Sequence, residues 1–245
     1  MKGELIFGVN PVKESLQGTR GAYNLYVQIS ATDHRVEKII RLAEDRGVAV
    51  HRRDKLDLTK MCASSHHQGI ALEVEPFRYA DFDDLLSSIS QSGKAGFILV
   101  LDAIQDPHNL GALIRSAACA GVDGVVIPKD RACGITAVAE KTSAGAVETV
   151  PVAMVTNIAH TLETLKKLGY WIYGLDGTAR QSVYGTDFSG NAVLVVGGEG
   201  EGIRPLVRKQ CDVVMSIPQY GGVSSLNASV AGGIALFEIA RKLRE

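Results

Sequence analysis

The sequence predicts an α/β protein in two parts: a mostly parallel sheet covered by helices on both faces, preceded by a smaller α/β unit. Three observations carry this. Stretches such as 97–101 (FILVL) are apolar at every position, as strands buried on both faces are. They alternate with stretches of helical periodicity, the rhythm of βα units. The length of 245 residues, 46% hydrophobic and 22% charged, suffices for one large or two ordinary domains with a real core.

In the first part, 24–30 reads as a strand. Residues 35–46 carry Val36, Ile39, Ile40 and Ala43 on one helix face, with Gly47 as the stop. A strand at 48–51, a short helix at 54–62 capped by Asp54, and a strand at 69–75 closed by Pro76 complete this unit. Acidic, small and polar residues then predict a short helix and a hinge. The expected division is a first domain at 1–77, a linker at 78–94 and a second domain at 95–245. In the second domain, strands are expected at 97–101, 124–127, 171–175, 192–196 and 213–217, with an apolar run at 149–155. Helices are expected at 109–120, 136–146, 157–168, 205–211 and 225–243.

Composition excludes several classes. No apolar run approaches a membrane span, and residues 1–10 lack the pattern of a secretory signal. The four cysteines, at 62, 119, 133 and 211, form no CxxC, which argues against a zinc ribbon or a disulfide framework and for a reducing cytoplasm without a metal site. Residues 1–79 carry 12 basic and 10 acidic side chains, the remainder 14 and 17. Arg46, Arg52, Arg53 and Lys55 form either a local basic patch or an ordinary solvated surface.

Ligands of open parallel sheets bind beyond the carboxyl ends of strands, and three segments stand there. In 101–118 (LDAIQDPHNLGALIRSAA), Asp106 and Asn109 are both good helix caps, and Pro107 suits a first helical position behind Asp106. Arg115 lies one turn after Gly111, whose missing side chain leaves room for a phosphate or ribose. Arg115 is otherwise a surface charge and Asn109 a plain cap. In 194–208 (LVVGGEGEGIRPLVR), glycines at 197, 198, 200 and 202 let backbone groups approach a ligand. The spacing is not that of a dinucleotide fingerprint, and no Walker lysine follows. Glu199 and Glu201 suit a cationic or hydroxyl-rich ligand rather than a phosphate. In 216–229 (SIPQYGGVSSLNAS), a Gly-Gly turn precedes a helix expected to be capped by Ser224 or Ser225. Gly232 and Gly233 in that helix point to a closely packed backbone, such as that of a second subunit. The His66-His67 pair reads as a structural turn or a loop contact to RNA.

These three segments, in this order, resemble the three motifs of the SPOUT-class RNA ribose methyltransferases, the TrmH/SpoU family, and more closely the bacterial 23S rRNA guanosine type. The matching residues are Asp106 to Gly111 with Arg115 and Ser116, then Gly197 to Gly202, then Ser224 to Asn227 with Ser229. Ile6 to Val12 and His67 to Ile70 resemble the family's small substrate-binding domain. Gly198 and Ala228 depart from the commoner Ala and Val. The resemblance implies a C-terminal trefoil-knotted catalytic domain, an N-terminal L30e-like RNA-binding domain, and a homodimer. It implies S-adenosylmethionine held near Leu175, Gly177, Gly197, Ile217 and Leu226. It also implies catalytic roles for Arg115, Asn109, Glu199, Ser225 and Asn227 on RNA, with 23S rRNA as the expected substrate. Alternatives are a tRNA 2′-O-methyltransferase of the same family and a non-catalytic RNA-binding assembly factor. An NAD-dependent enzyme fits the α/β rhythm but not the glycine spacing.

Overall fold

Strand-forming residues gather into two separate sheets. The computed structural model describes residues 3–18, 20–30, 33–222 and 225–244. Its internal contacts divide the chain into one unit of Met1–Arg78 with Ile135–Thr149 and a second of Tyr79–Gly134 with Val150–Glu245.

The first unit runs β1 (Glu4–Phe7), α1 (Val9–Gln17), β2 (Ala22–Gln28), α2 (His34–Asp45), β3 (Ala49–Arg53), α3 (Lys55–Cys62) and β4 (Ile70–Val74). The sheet order is β1-β4-β2-β3; only β2 and β3 pair in parallel. Leu25 and Val27 on β2 meet Val36, Ile39 and Ala43 of α2 in one core, which Val9, Val12 and Leu16 of α1 join. The sequence reading passed over β1 and α1, although those three α1 residues share a helix face. Asp54 caps α3 as expected, accepting from the Asp57 N–H at 2.8 Å. Arg46 is exposed and also ties two elements together. Its guanidinium donates to the carbonyls of Ser15, Leu16 and Gly18 at the end of α1.

The segment Ile135–Thr149, expected within the second domain, packs with the first unit and contains α6 (Ala137–Ser143). Arg20 ties it there, beside the packing of Ala137 against Phe7, Leu58 and Ala71. Its guanidinium is nearly buried and pairs with Glu140 at 2.5 Å, with Glu148 at 3.3 Å and with Glu4, while its Nε donates to the Glu75 carbonyl at 2.6 Å. One cation thus gathers carboxylates from chain positions more than a hundred residues apart.

The second unit holds the remaining elements: α4 (Phe82–Gln91), β5 (Phe97–Asp102), α5 (Pro107–Ala120), β6 (Gly124–Pro128), β7 (Val152–Val155), α7 (Ile158–Lys167) and β8 (Trp171–Leu175). It continues with β9 (Gln181–Ser182), β10 (Ala192–Gly197), α8 (Pro205–Arg208), β11 (Val213–Ser216) and α9 (Ala228–Lys242). The sheet order is β7-β6-β5-β10-β8-β11-β9, every pair parallel. The helix in the expected linker is no free hinge, because Leu85 and Ile89 of α4 are buried against Val100, Val126 and Ala153. The short β9 was not anticipated. Gly232 of α9 faces Leu113 of α5, whose side chain a Cβ there would overlap, and Gly233 faces Ser116. Within this chain Gly232 thus makes room for the Leu113 side chain. No helix among the described residues is long and apolar enough to cross a membrane.

Two outcomes test the Arg20 cluster. Arg20→Ala strands three carboxylates and is expected to cost about 3 kcal/mol or more of stability in chemical denaturation. Burial pushes the Glu140 carboxyl up to about 7 against the pull of Arg20. With its folded pKa raised above the unfolded value, Glu140 loses stability for the fold as pH rises from the ordinary carboxylate range through about 7. Glu140→Gln escapes that loss, so its melting temperature relative to the wild type is expected to rise between pH 5 and pH 8. A difference that falls over this range contradicts the assignment.

Candidate active site

Between β5 and β10 the sheet switches direction of growth, and beside this point the segments leaving β8, β10 and β11 gather at the strands' carboxyl ends. A cleft of about 540 Å³ opens there, a volume ordinary for a small-molecule site. Leu175, Gly177, Gly197, Ile217 and Leu226, the five residues expected to hold a cofactor, all line it. So do Glu199, Ser225 and Asn227. Asp176 and Gln219, which fall inside the expected segments, also line it, as does Thr178, which escaped the sequence reading. Ser224 lies outside the described residues.

The walls carry Asp176, Glu199 and Glu201, and no Lys, Arg or His among the described lining residues. Asp176 is engaged by Arg208 and Thr178, which pull its carboxyl below the usual range against burial. Such a surface repels a pyrophosphate and suits a ligand with cationic centres and ribose hydroxyls. The glycine loop makes room by backbone necessity: a Cβ on Gly197 would overlap Gly202 and Ile203, and one on Gly198 would overlap the Ala103 carbonyl.

Asn109 does not cap α5. Asp106 does, accepting from the His108 N–H at 2.9 Å, with Pro107 at the first helical position. Asn109 is buried in the first turn, and its Nδ2 donates to Glu199 at 2.5 Å. Its Oδ1 accepts from Asn227 Nδ2 at 3.0 Å. Asn227, rather than either serine, caps α9: its Oδ1 accepts from the Ser229 and Val230 N–H groups and from the Ser229 hydroxyl. The direction of this chain is fixed by its ends. A carboxylate only accepts and a helix N-terminus only donates, so each amide between them has a single workable orientation.

Arg115 stands apart. It is exposed on α5, does not line the cleft of its own chain, and has no side-chain partner among the described residues. His67 is a structural turn residue: buried, it accepts from the Gly69 N–H at 3.0 Å and lies 3.2 Å from the Thr59 hydroxyl, and burial pushes its pKa down.

The family model of the SpoU rRNA methylase family matches residues 96–237, which include the whole cleft, and that of the RNA 2′-O ribose methyltransferase substrate-binding domain matches residues 5–80. The chain belongs to the SpoU rRNA methylase family. Among its SpoU relatives, a protein of Xylella fastidiosa named 23S rRNA (guanosine-2′-O-)-methyltransferase RlmB is 41% identical over 98% of this chain and 97% of its own. A putative TrmH family tRNA/rRNA methyltransferase of Bacillus subtilis, YacO, is 38% identical over 98% of this chain and 96% of its own. The SpoU methyltransferase AviRb of Streptomyces viridochromogenes, crystallised with AdoMet, shares the fold: TM-score 0.79, 22% identity, 97% of this chain and 89% of that one.

One pair in this SpoU site was not anticipated. Asp102, with no exposed surface, ends the apolar strand β5 and binds the backbone N–H and Nε of Arg204, each at 2.8 Å, and the guanidinium end at 2.5 Å. The pair anchors the far end of the glycine loop to the β5 strand end. A lone acid closing FILVLD was the available signal. Arg204→Ala leaves buried Asp102 with the backbone N–H of residue 204 but without the guanidinium. Because the Arg204 side chain is a third exposed, the expected loss lies near the lower end for buried pairs, about 3 kcal/mol, measurable by urea denaturation.

Proposed function

We propose that this protein transfers a methyl group from S-adenosylmethionine to the ribose 2′-hydroxyl of a guanosine in 23S rRNA. The observation that carries this is the cleft itself: three chain segments meet on an acidic, glycine-rich wall with no Lys, Arg or His among the described lining residues, the inverse of a phosphate site and a match to a sulfonium ligand. Relatives named as 23S rRNA guanosine methyltransferases along nearly their whole length support the substrate, as does the substrate-binding family of residues 5–80. The first unit then holds the RNA and the second carries out the transfer.

S-adenosylmethionine, when bound, supplies an electrophilic methyl on a cationic sulfur. Leu175, Gly177, Gly197, Ile217 and Leu226 would hold it, with their backbones at the loop ends and apolar side chains at Leu175, Ile217 and Leu226. Glu199, steadied by Asn109, places a carboxylate on the wall that favours positive charge. Asn227 holds Asn109 in the orientation Glu199 needs, and the Ser225 hydroxyl offers the RNA a hydrogen-bond partner beside it. In-line displacement needs the ribose oxygen fixed on the axis of the leaving bond. A guanidinium is a poor base, so we assign Arg115 to clamp the adjacent RNA phosphate and to stabilise the alkoxide as it forms. The proton leaves to that phosphate or to water.

We further read the protein as a cytoplasmic homodimer. Val230 and Phe237, two turns apart on one face of α9, are half exposed in the single chain, and Leu226 lies just before that helix. Pairing through this face covers the apolar surface, and it gives the unpartnered Arg115 of the partner subunit a cleft to complete.

The direct test is to incubate the purified protein with labelled S-adenosylmethionine and, separately, 23S rRNA and tRNA, then map the 2′-O-methyl groups. Methylation of a 23S guanosine is expected; label in tRNA alone overturns the substrate. Arg115→Ala is expected to lower kcat at least a hundredfold while leaving calorimetric binding of S-adenosylmethionine within about threefold. Retained turnover removes Arg115 from the mechanism. Phe237→Asp is expected to shift the protein from dimer to monomer in light scattering, with methylation lost at the same time.

A further inference from the structure

The sheet of the first unit has two unlike faces. One, carrying Leu25 and Val27, is the core beneath α1 and α2. The other packs around Phe7, Leu58 of α3 and Ala71, with Tyr26 against that cluster; at its β2–β3 edge, where Tyr26 pairs with His51 and Gln28 with Arg53, planar side chains stand in a row. The Tyr26 and His51 rings stack with centroids 5.5 Å apart and 28° between planes, and the Arg53 guanidinium lies 5.6 Å from the Tyr26 ring centre. All three are half-buried, with surface left for a partner.

Their orientation is locked from beneath. The Glu73 carboxylate accepts from Asn24 Nδ2 at 2.8 Å and from the Tyr26 hydroxyl at 3.2 Å. Asn24 must therefore turn its Oδ1 to His51, whose Nε2 donates to it at 2.9 Å. The second ring nitrogen of His51 is left without a protein partner among the described residues, available to a base edge. Burial and Glu73 together push the Tyr26 phenol up, which keeps it a donor. The Glu73 carboxylate on this face is thus satisfied internally, while β3, the edge strand, leads from Arg53 into the exposed Lys55.

We propose that this Tyr26–His51–Arg53 row is a stacking platform for unpaired bases of the RNA substrate. Aromatic rings and a guanidinium plane, flanked by cations, are what single-stranded RNA uses: bases stack on the planes and phosphates meet the charges. A duplex hides its base faces and gains little from such a row, so the occupant is an unpaired segment. The proposal rests on the reading of the protein as an RNA methyltransferase and specifies where its first unit takes hold.

The full chain is to be titrated, by fluorescence anisotropy, into a short unstructured oligoribonucleotide and into the same strand annealed to its complement. His51→Ala, and Arg53→Lys, which keeps the charge but removes the plane, are each expected to weaken single-strand binding about fivefold or more. Duplex binding is expected to stay within about twofold of the wild type. Single-strand binding equal to the wild type in both variants, or equal losses on single strand and duplex, overturns the platform. Methylation of 23S rRNA by the wild-type protein is assayed on the same preparations. If it proceeds while both variants bind normally, the platform falls and the enzyme stands. If it fails while both variants lose single-strand binding, the platform stands and the enzymatic reading falls.

Discussion

The site depends on the polarity of one buried amide. Asn109 has to donate to Glu199 and accept from Asn227 at once, and only an amide does both. Through it the end of the β5 segment, the glycine loop and the cap of α9 become one structure, although more than a hundred residues separate the first from the last. Asp in its place would set an acceptor against the Glu199 carboxylate, and Leu or Ala would leave a carboxylate and a cap unsupported. The two ends of this chain of bonds, Glu199 and Asn227, line the cleft, so buried Asn109 stiffens the site from behind its wall.

A second constraint supports the first. The loop that presents Glu199 contains four glycines and would otherwise be among the least ordered parts of the molecule. Asp102 and Arg204 remove that freedom by tying the loop's exit to the end of β5, while Gly197 and Gly198 let its entry lie against neighbouring backbone. The loop is therefore open in composition and fixed in conformation, which suits a site built to hold a cationic ligand by backbone groups and acids.

Much of this was legible in order along the chain. Strands with apolar residues on both faces, glycines at a strand end and the acids between them are local patterns, and each placed its segment at the correct end of the sheet. The caps were legible only as candidates: Asp106 and Asn109 have equal local claims to α5, and burial of Asn109 against Glu199 decides between them. Long-range electrostatics left no such trace. Nothing near Arg20 announces Glu140 and Glu148, so the return of residues 135–149 to the first unit was invisible in the sequence. Arg46 is the surface charge it looked like, but its backbone-carbonyl partners are marked by no sequence pattern.

The amide's role is tested most directly by a double-mutant cycle on S-adenosylmethionine affinity, using Asn109→Ala, Glu199→Gln and the double variant in calorimetry. If Asn109 acts by holding Glu199, the two losses overlap, and the double variant binds about as weakly as the weaker single variant, a coupling of about 1 kcal/mol or more. Strictly additive losses would mean that the two side chains serve the ligand independently, and the account of a single linked site would be wrong.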